Sequence, residues 1–248
     1  AQRSYLNLTG LNTLIVASYE KLKGSKERYQ GMQLNTVTGN IKLSKIDFSY
    51  NKSDFLFRNL SISINPGQLF CISGSNGDGK TTLSKILMGI LEPSAGEVLV
   101  DGTNLNKLSL KWWKKQVAYI PQNPNILNSS IMDNILLGND KLNEQEVSRL
   151  LQSVGLDQKL KKTSLTILGP IEDDLSNGVK KKIHYARALA QNSKIFIIDD
   201  PFGYLDNQGI HIVQKIIESF KRANKTVILF SDNNILSNVI DENIRIGN

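Results

Sequence analysis

The chain has 248 residues, 40% of them hydrophobic, and a formal net charge of +7 at pH 7. That size and apolar content suit one large domain, or a domain with a subdomain, and exclude a disordered chain. The longest apolar runs, such as TLIVA and TVILF, are five residues, far short of the roughly 20 that cross a bilayer. A single cysteine, Cys71, excludes an intrachain disulfide; inside the apolar run LFCI it reads as a small buried side chain in a reducing compartment. No basic stretch followed by an apolar one opens the chain as in a signal peptide, and a start at Ala1 reads as a piece of a longer protein. The basic residues are scattered, with short clusters at Lys21 to Lys26, Lys159 to Lys162 and Lys180 to Lys182 and no interleaved aromatics. This pattern reads as solvated surface rather than a nucleic-acid face.

In chain order, LNTLIVASYEKLKGSKERYQGM predicts a helix-like lead. IKLSKIDFSY then alternates Ile41, Leu43, Ile46, Phe48 and Tyr50, and LSISI repeats the two-residue period, so an antiparallel sheet is expected between residues 41 and 64. The turn NPG leads into a buried strand, QLFCIS. TLSKILMGIL places Leu83, Ile86, Leu87, Ile90 and Leu91 on one helical face, and EPSAGEVLVDG ends that helix and begins another strand. From about Asn125 to Asn192 the pattern is mostly helical, with Asn143 capping through Glu146 and a stripe of Val147, Leu150, Leu151 and Val154. KIFIID, GIHIVQKIIESFKRA, TVILF and ENIRIG then alternate strand and helix. The whole predicts an α/β fold with a helical insertion.

Two stretches carry chemistry. GSNGDGKTT, comprising Gly74, Ser75, Asn76, Gly77, Asp78, Gly79, Lys80, Thr81 and Thr82, satisfies G-x-x-x-x-G-K-[ST] between a strand and an amphipathic helix. Its backbone N–H groups and helix N-terminus suit a phosphate, Lys80 reaches the terminal phosphates, and the Thr81 hydroxyl suits Mg²⁺. Asp78 puts an anion into a loop built for anions, which requires its side chain to point outward. The second stretch, IFIIDDPFGYLD, runs a buried strand into Asp199 and Asp200.

Together these residues resemble the ATP-binding cassette (ABC) transporters, in particular the nucleotide-binding domains of exporters of peptides, toxins or lipids. The resemblance runs from about Ile41 to the C-terminus. Gln122 in YIPQNPNILNSSIMDNILLG is similar to the family's Q-loop, LSNGVKKKIHYARAL to its signature and helix, and the stretch ending at Asp206 to its acidic strand and D-loop. Tyr50 stands where these domains stack an aromatic on adenine.

The resemblance implies a P-loop NTPase of ABC ATPase type: a mostly parallel core sheet, an antiparallel edge sheet and a helical subdomain near 125–190. Residues 1–40 become a lead or linker after a membrane domain, and 41–248 the ATP-binding domain. ATP and Mg²⁺ are the implied ligands, with Thr81, Gln122 and Asp199 as oxygen donors to the metal. Lys80, Gln122, Asp200 and Asp232 take the catalytic positions. Ser176, Asn177 and Gly178 are implied to face the γ-phosphate held by a second domain in a head-to-tail dimer. The implied partners are that second domain and a transmembrane domain, in the same or a separate chain, at the cytoplasmic face of a membrane; no nucleic acid is expected. Ile126, Leu127 and Ile131 are expected to expose apolar side chains for docking to the membrane domain.

The chain departs from the family at several places. Asp200 stands where strong hydrolysers carry Glu, Asp232 where they carry His, Asn177 replaces a glycine and Val179 a glutamine. Nucleotide binding with weak hydrolysis is the expectation. Two other readings stay open: a nucleotide-responsive regulatory module without turnover, and a soluble ABC-type ATPase acting on nucleic acid.

Overall fold

The structure, a computed structural model, describes residues 31–51, 54–127, 129–137, 142–156 and 175–247. Apart from Gly31 and Met32, the predicted helix-like lead lies outside the described residues, as do the first two lysine clusters.

Two sheets form the frame. β1 (Ile41–Ser49) pairs antiparallel with β2 (Phe55–Ile64) on one side and with β4 (Ala95–Val100) on the other, and the short β5 (Thr103–Asn104) completes the order β2-β1-β4-β5. The expected antiparallel sheet is therefore present but wider than residues 41–64, because EVLVDG adds strand β4 to it. The second sheet is wholly parallel: β6 (Val117–Ile120), β7 (Ile195–Asp199), β8 (Thr226–Phe230), β3 (Leu69–Ser73) and β9 (Glu242–Arg245), in that order.

The central parallel strands are apolar on both faces because both faces are covered. Alternate residues go to different cores. Leu69, Cys71, Phe196, Ile198, Val227 and Leu229 enter one, with helices α3 (Ile131–Leu136), α4 (Glu144–Ser153), α5 (Asn177–Gln191) and α6 (Asn207–Arg222) packed over it. Phe70, Ile72, Ile195, Ile197, Ile228 and Phe230 enter the other, shared with the antiparallel sheet and with α1 (Lys80–Leu87) and α2 (Leu110–Gln116). The period-two geometry of a strand makes this division automatic.

Local chemistry sets the helix ends. The Asn143–Glu146 capping box predicted from sequence is formed, and Ser130 with Asp133 makes a second one at α3. Helix α1 stops at Leu87, before the predicted face is complete: Gly89 turns the chain at φ 69°, and Ile90 is 51% exposed rather than on the buried stripe. The Trp113 indole on α2 donates to the Leu87 carbonyl at 3.1 Å and so caps that helix end. Helix α2 and strand β6 lie outside the expected elements, since LKWWKKQVAYI offers only seven helical residues, about two turns, followed by four strand residues.

The expected docking face is corrected in part. Ile126 and Ile131 are core residues, 5% and 0% exposed, while Leu127 is 54% exposed. Asn134 explains the split: its side chain, itself buried, accepts from the Leu127 amide and donates to the Leu127 carbonyl, pinning the segment so that its neighbours point inward.

Candidate functional site

The loop between β3 and α1 turns at the C-terminal edge of the parallel sheet. Gly79 sits at φ 93°, where a side chain is strained, and a Cβ there would come 2.6 Å from the Phe57 ring. Ser75, Asn76, Gly77, Gly79, Lys80, Thr81 and Thr82 line a cleft of about 780 Å³, faced by Tyr50, Gln122, Asp199, Asp200 and Asp232. Twelve of the fourteen residues that the sequence offered for the ligand, metal and catalytic roles on this side thus meet at one place, Gly74 and Asp78 being the two that do not.

Asp78 does turn away from the cleft. Its Oδ2 accepts from the Ser75 amide at 2.6 Å and lies against Gly247, in a separate hollow with Arg245 and Phe57. Gly74 is buried behind the loop. Ser176, Asn177 and Gly178 do not line this cleft; Ser176 caps α5 by accepting from the Val179 amide at 3.3 Å, and Ser176 and Asn177 are exposed. Leu56, Ser231 and Asn233 complete the cleft wall. Sequence reasoning passed over them because they share no motif; only the register of β2 and β8 brings them there.

Tyr50 is 64% exposed at the cleft mouth, its phenol 2.9 Å from the Thr82 hydroxyl and its ring edge-on to Phe48. These contacts hold a flat apolar face over the loop. Lys80 is bound within its own loop: its ammonium donates to the Gly74 carbonyl, to the Ser75 carbonyl at 3.1 Å and to Asp232 at 2.8 Å. Asp232 also accepts the Gly74 amide at 2.7 Å. Burial raises the Asp232 carboxyl, but the Lys80 ammonium and the Gly74 amide more than offset this, and it lies below the usual carboxylate range.

Asp199 ends β7 almost fully buried, and its Oδ2 has no hydrogen-bond partner among the described residues. Burial pushes its carboxyl upward, with the Thr81 hydroxyl and the Lys181 charge offsetting only part of the shift. A buried carboxylate oxygen without a partner, beside a hydroxyl and the Gln122 amide in one polar cleft, fits a hard divalent cation. Among the described residues no cluster of three or more His, Cys, Asp or Glu side chains forms a metal site, so such a cation would rely on mixed oxygen donors and on phosphate.

Asp200 has φ 50°, in the left-handed region uncommon for a residue with a side chain. Its amide donates to the Phe230 carbonyl at 3.0 Å, and its carboxylate occupies the space that a Cβ on Gly203 would fill. Beneath it lies Lys181, fully buried on α5, which donates to the Pro121 carbonyl at 2.8 Å and to the Asp199 carbonyl at 3.1 Å. Burial lowers the Lys181 ammonium to about 8, with Asp200 and Asp199 pulling it back up. Three residues on, His184 donates from Nε2 to the Asn125 carbonyl at 2.8 Å, and burial drives it down to about 4. Tyr204 reaches across from the segment after β7, its hydroxyl donating to Asn123 at 2.9 Å. Nothing in the sequence distinguished Lys181 from its neighbours Lys180 and Lys182; only burial does.

Comparison with known proteins gives consistent results. A family model described as "ABC transporter" matches residues 57–203. The chain is 30% identical over 211 residues to "ABC transporter B family member 13" of Arabidopsis thaliana, which covers 84% of this chain and 17% of that protein. It is 32% identical over 213 residues to "Alpha-hemolysin translocation ATP-binding protein HlyB" of Escherichia coli O6:H1, covering 84% of this chain and 30% of that one. A solved structure titled "Structure of a bacterial Atm1-family ABC exporter with ATP bound" shares the fold with a TM-score of 0.78 at 21% identity, over 88% of this chain and 39% of that chain. The chain spans less than a third of the length of either relative.

Proposed function

Because this chain belongs to the ABC transporter family, we propose that it binds Mg-ATP in the cleft under Tyr50 and couples binding and slow hydrolysis to export by a membrane domain. One observation carries the reading: the phosphate loop, Gln122 and the partnerless Asp199 Oδ2 share one cleft at the C-terminal edge of a parallel sheet, the place where such sheets take ligands.

In this reading the Tyr50 ring takes the adenine face, and the loop amides together with the α1 N-terminus hold the phosphates. Lys80 leaves Asp232 and the loop carbonyls to reach the terminal phosphates. Thr81, Gln122 and Asp199 would hold Mg²⁺, which when bound offsets phosphate charge and orients the oxygens. Asp200 orients the attacking water and takes its proton. Its carboxylate is one methylene shorter than Glu and turned toward Gly203, which supports slow turnover. Asp232 takes the position beside the γ-phosphate, where its charge opposes the reaction.

The domain division follows the same reading: 1–40 as lead or linker and 41–248 as the ATP-binding domain, with the helical subdomain near 125–190. Ser176, Asn177 and Gly178, exposed or half-exposed away from the cleft, would meet the phosphates of a second domain in a head-to-tail pair. The transmembrane partner, in this or another chain, places the domain at the cytoplasmic face of a membrane; among the described residues no helix is long and apolar enough to cross one. The Lys80–Asp232 contact favours a second reading, a module that binds ATP without turnover.

Titration calorimetry with Mg-ATP on the wild type and Lys80→Ala, followed by phosphate release over a range of protein concentrations, tests the proposal. Binding lost in Lys80→Ala, with specific activity rising with concentration, supports the ATPase pair. Binding with no release at any concentration selects the second reading, and no binding by the wild type sinks both.

A further inference from the structure

Lysine is almost never fully buried without an ion-pair partner, yet Lys181 is 0% exposed and no carboxylate lies within ion-pair distance of it among the described residues. Its ammonium instead spends its hydrogen bonds on two backbone carbonyls from distant segments: Pro121 at 2.8 Å and Asp199 at 3.1 Å. Both carbonyls are informative. The Pro121 carbonyl belongs to the peptide that leads into Gln122, and the Asp199 carbonyl to the peptide that leads into Asp200.

The Asp199–Asp200 peptide is therefore gripped from two sides. Its N–H donates to Phe230 at 3.0 Å and its C=O accepts from Lys181. This matters because Asp200 is in the left-handed region at φ 50°, a conformation that persists only where the surroundings over-determine it. Rotation of that peptide would swing the Asp200 carboxylate and shift Asp199 beside it. The same ammonium holds the peptide that aims Gln122, so the two segments cannot reorient independently while it bonds both.

We infer that Lys181 is a positioning residue that holds Gln122, Asp199 and Asp200 in mutual register, so that α5 sets the geometry of the cation-binding and water-facing side of the cleft. This rests on the Mg-ATP reading above. Lys181 does not itself line the cleft: it acts through the backbone carbonyls of Pro121 and Asp199. The chemistry required is hydrogen-bond donation to both at once, which a shorter neutral amide supplies only in part and a thioether not at all.

The test uses the full chain with Lys181→Met, close in volume and without a donor, and Lys181→Gln, whose amide reaches at most one carbonyl. ATP affinity is measured with Mg²⁺ and with Mg²⁺ removed by chelation, alongside phosphate release. In the wild type, Mg²⁺ is expected to strengthen ATP binding. Lys181→Met is expected to keep Mg-free ATP affinity within about threefold, to lose most of the Mg²⁺ enhancement, and to lower kcat about tenfold or more, with Lys181→Gln intermediate. In an Asp200→Ala background, Lys181→Met should lower kcat no further, because the residue acts through Asp200. A Lys181→Met chain with wild-type Mg²⁺ enhancement and wild-type kcat overturns the inference, as does an equal loss of ATP affinity with and without Mg²⁺. If Lys181→Met does not fold, Lys181→Gln decides by the same two readouts. A wild type that binds no ATP overturns the Mg-ATP reading, whereas intact wild-type binding with an unaltered variant overturns only the role of Lys181.

Discussion

The Lys80 ammonium lies 2.8 Å from one oxygen of Asp232, whose other oxygen accepts the Gly74 amide at 2.7 Å. One carboxylate thus engages both a cation and a loop amide that a phosphate would engage. In the proposed reading Asp232 stands in for the anionic ligand, and nucleotide displaces this carboxylate.

Asp232→Asn keeps the shape and removes the charge, so it should tighten Mg-ATP binding about twofold to fivefold, in the range of a partly exposed ion pair. The gain should shrink at high salt. Calorimetry at low and at 0.5 M salt, roughly, checks both points; an unchanged or weaker affinity would remove the competition.

Asp200→Glu should raise turnover by about tenfold to 100-fold with little change in affinity, because the longer carboxylate regains the roughly 1 Å reach that the Gly203-directed side chain lacks. Adding Asp232→His should raise it further, and the two changes should be non-additive since they flank one phosphate. Phosphate release at saturating Mg-ATP is the measurement. A wild type already at roughly 1 to 10 per second, or a slower Asp200→Glu, makes Asp200 competent as it stands.

The Tyr50 ring and hydroxyl separate cleanly. Tyr50→Ala should weaken ATP binding about tenfold, the low end of a base–aromatic stack. Tyr50→Phe loses only the contact with Thr82 and should stay within about threefold of wild type. Equal losses in the two variants would mean that the hydroxyl matters and the stack does not.

His184 supplies an acid-sensitive element. Its folded value, about 4, lies below the ordinary 6.5 because burial disfavours the charged ring. The unfolded state therefore binds the proton first as pH falls below 6.5, and stability is lost progressively down to pH 4; above 6.5 the contribution is fully present. The loss amounts to at most about 3 kcal/mol for a shift of this size. Urea unfolding of wild type and His184→Gln at pH 7 and pH 4.5 should show the wild type losing more between the two, and parallel losses would clear His184.

The motifs were legible because each is local. GSNGDGKTT and IFIIDD keep their chemistry within a few residues, and the structure brings both to one cleft with Gln122 and Tyr50. The outward turn of Asp78 was legible too, as a requirement of charge. Lys181 was not: a lysine among three lysines on an amphipathic helix carries no mark of burial, and its two carbonyl partners are 60 and 18 positions away. Ile126 and Ile131 failed as surface residues for a related reason, since the buried Asn134 side chain that folds their segment inward looks like any polar residue in sequence.

The chain has two tryptophans, adjacent on α2, and the indole of Trp113 is bonded to the Leu87 carbonyl at the end of α1. The first residue of that helix is Lys80. Eight residues at about 1.5 Å each make a rod of about 12 Å with the phosphate loop at one tip and the indole at the other. Tryptophan emission from the unlabelled chain therefore comes from a single address, bonded to the far end of the helix that begins at the loop, and should report loop occupancy with no dye attached.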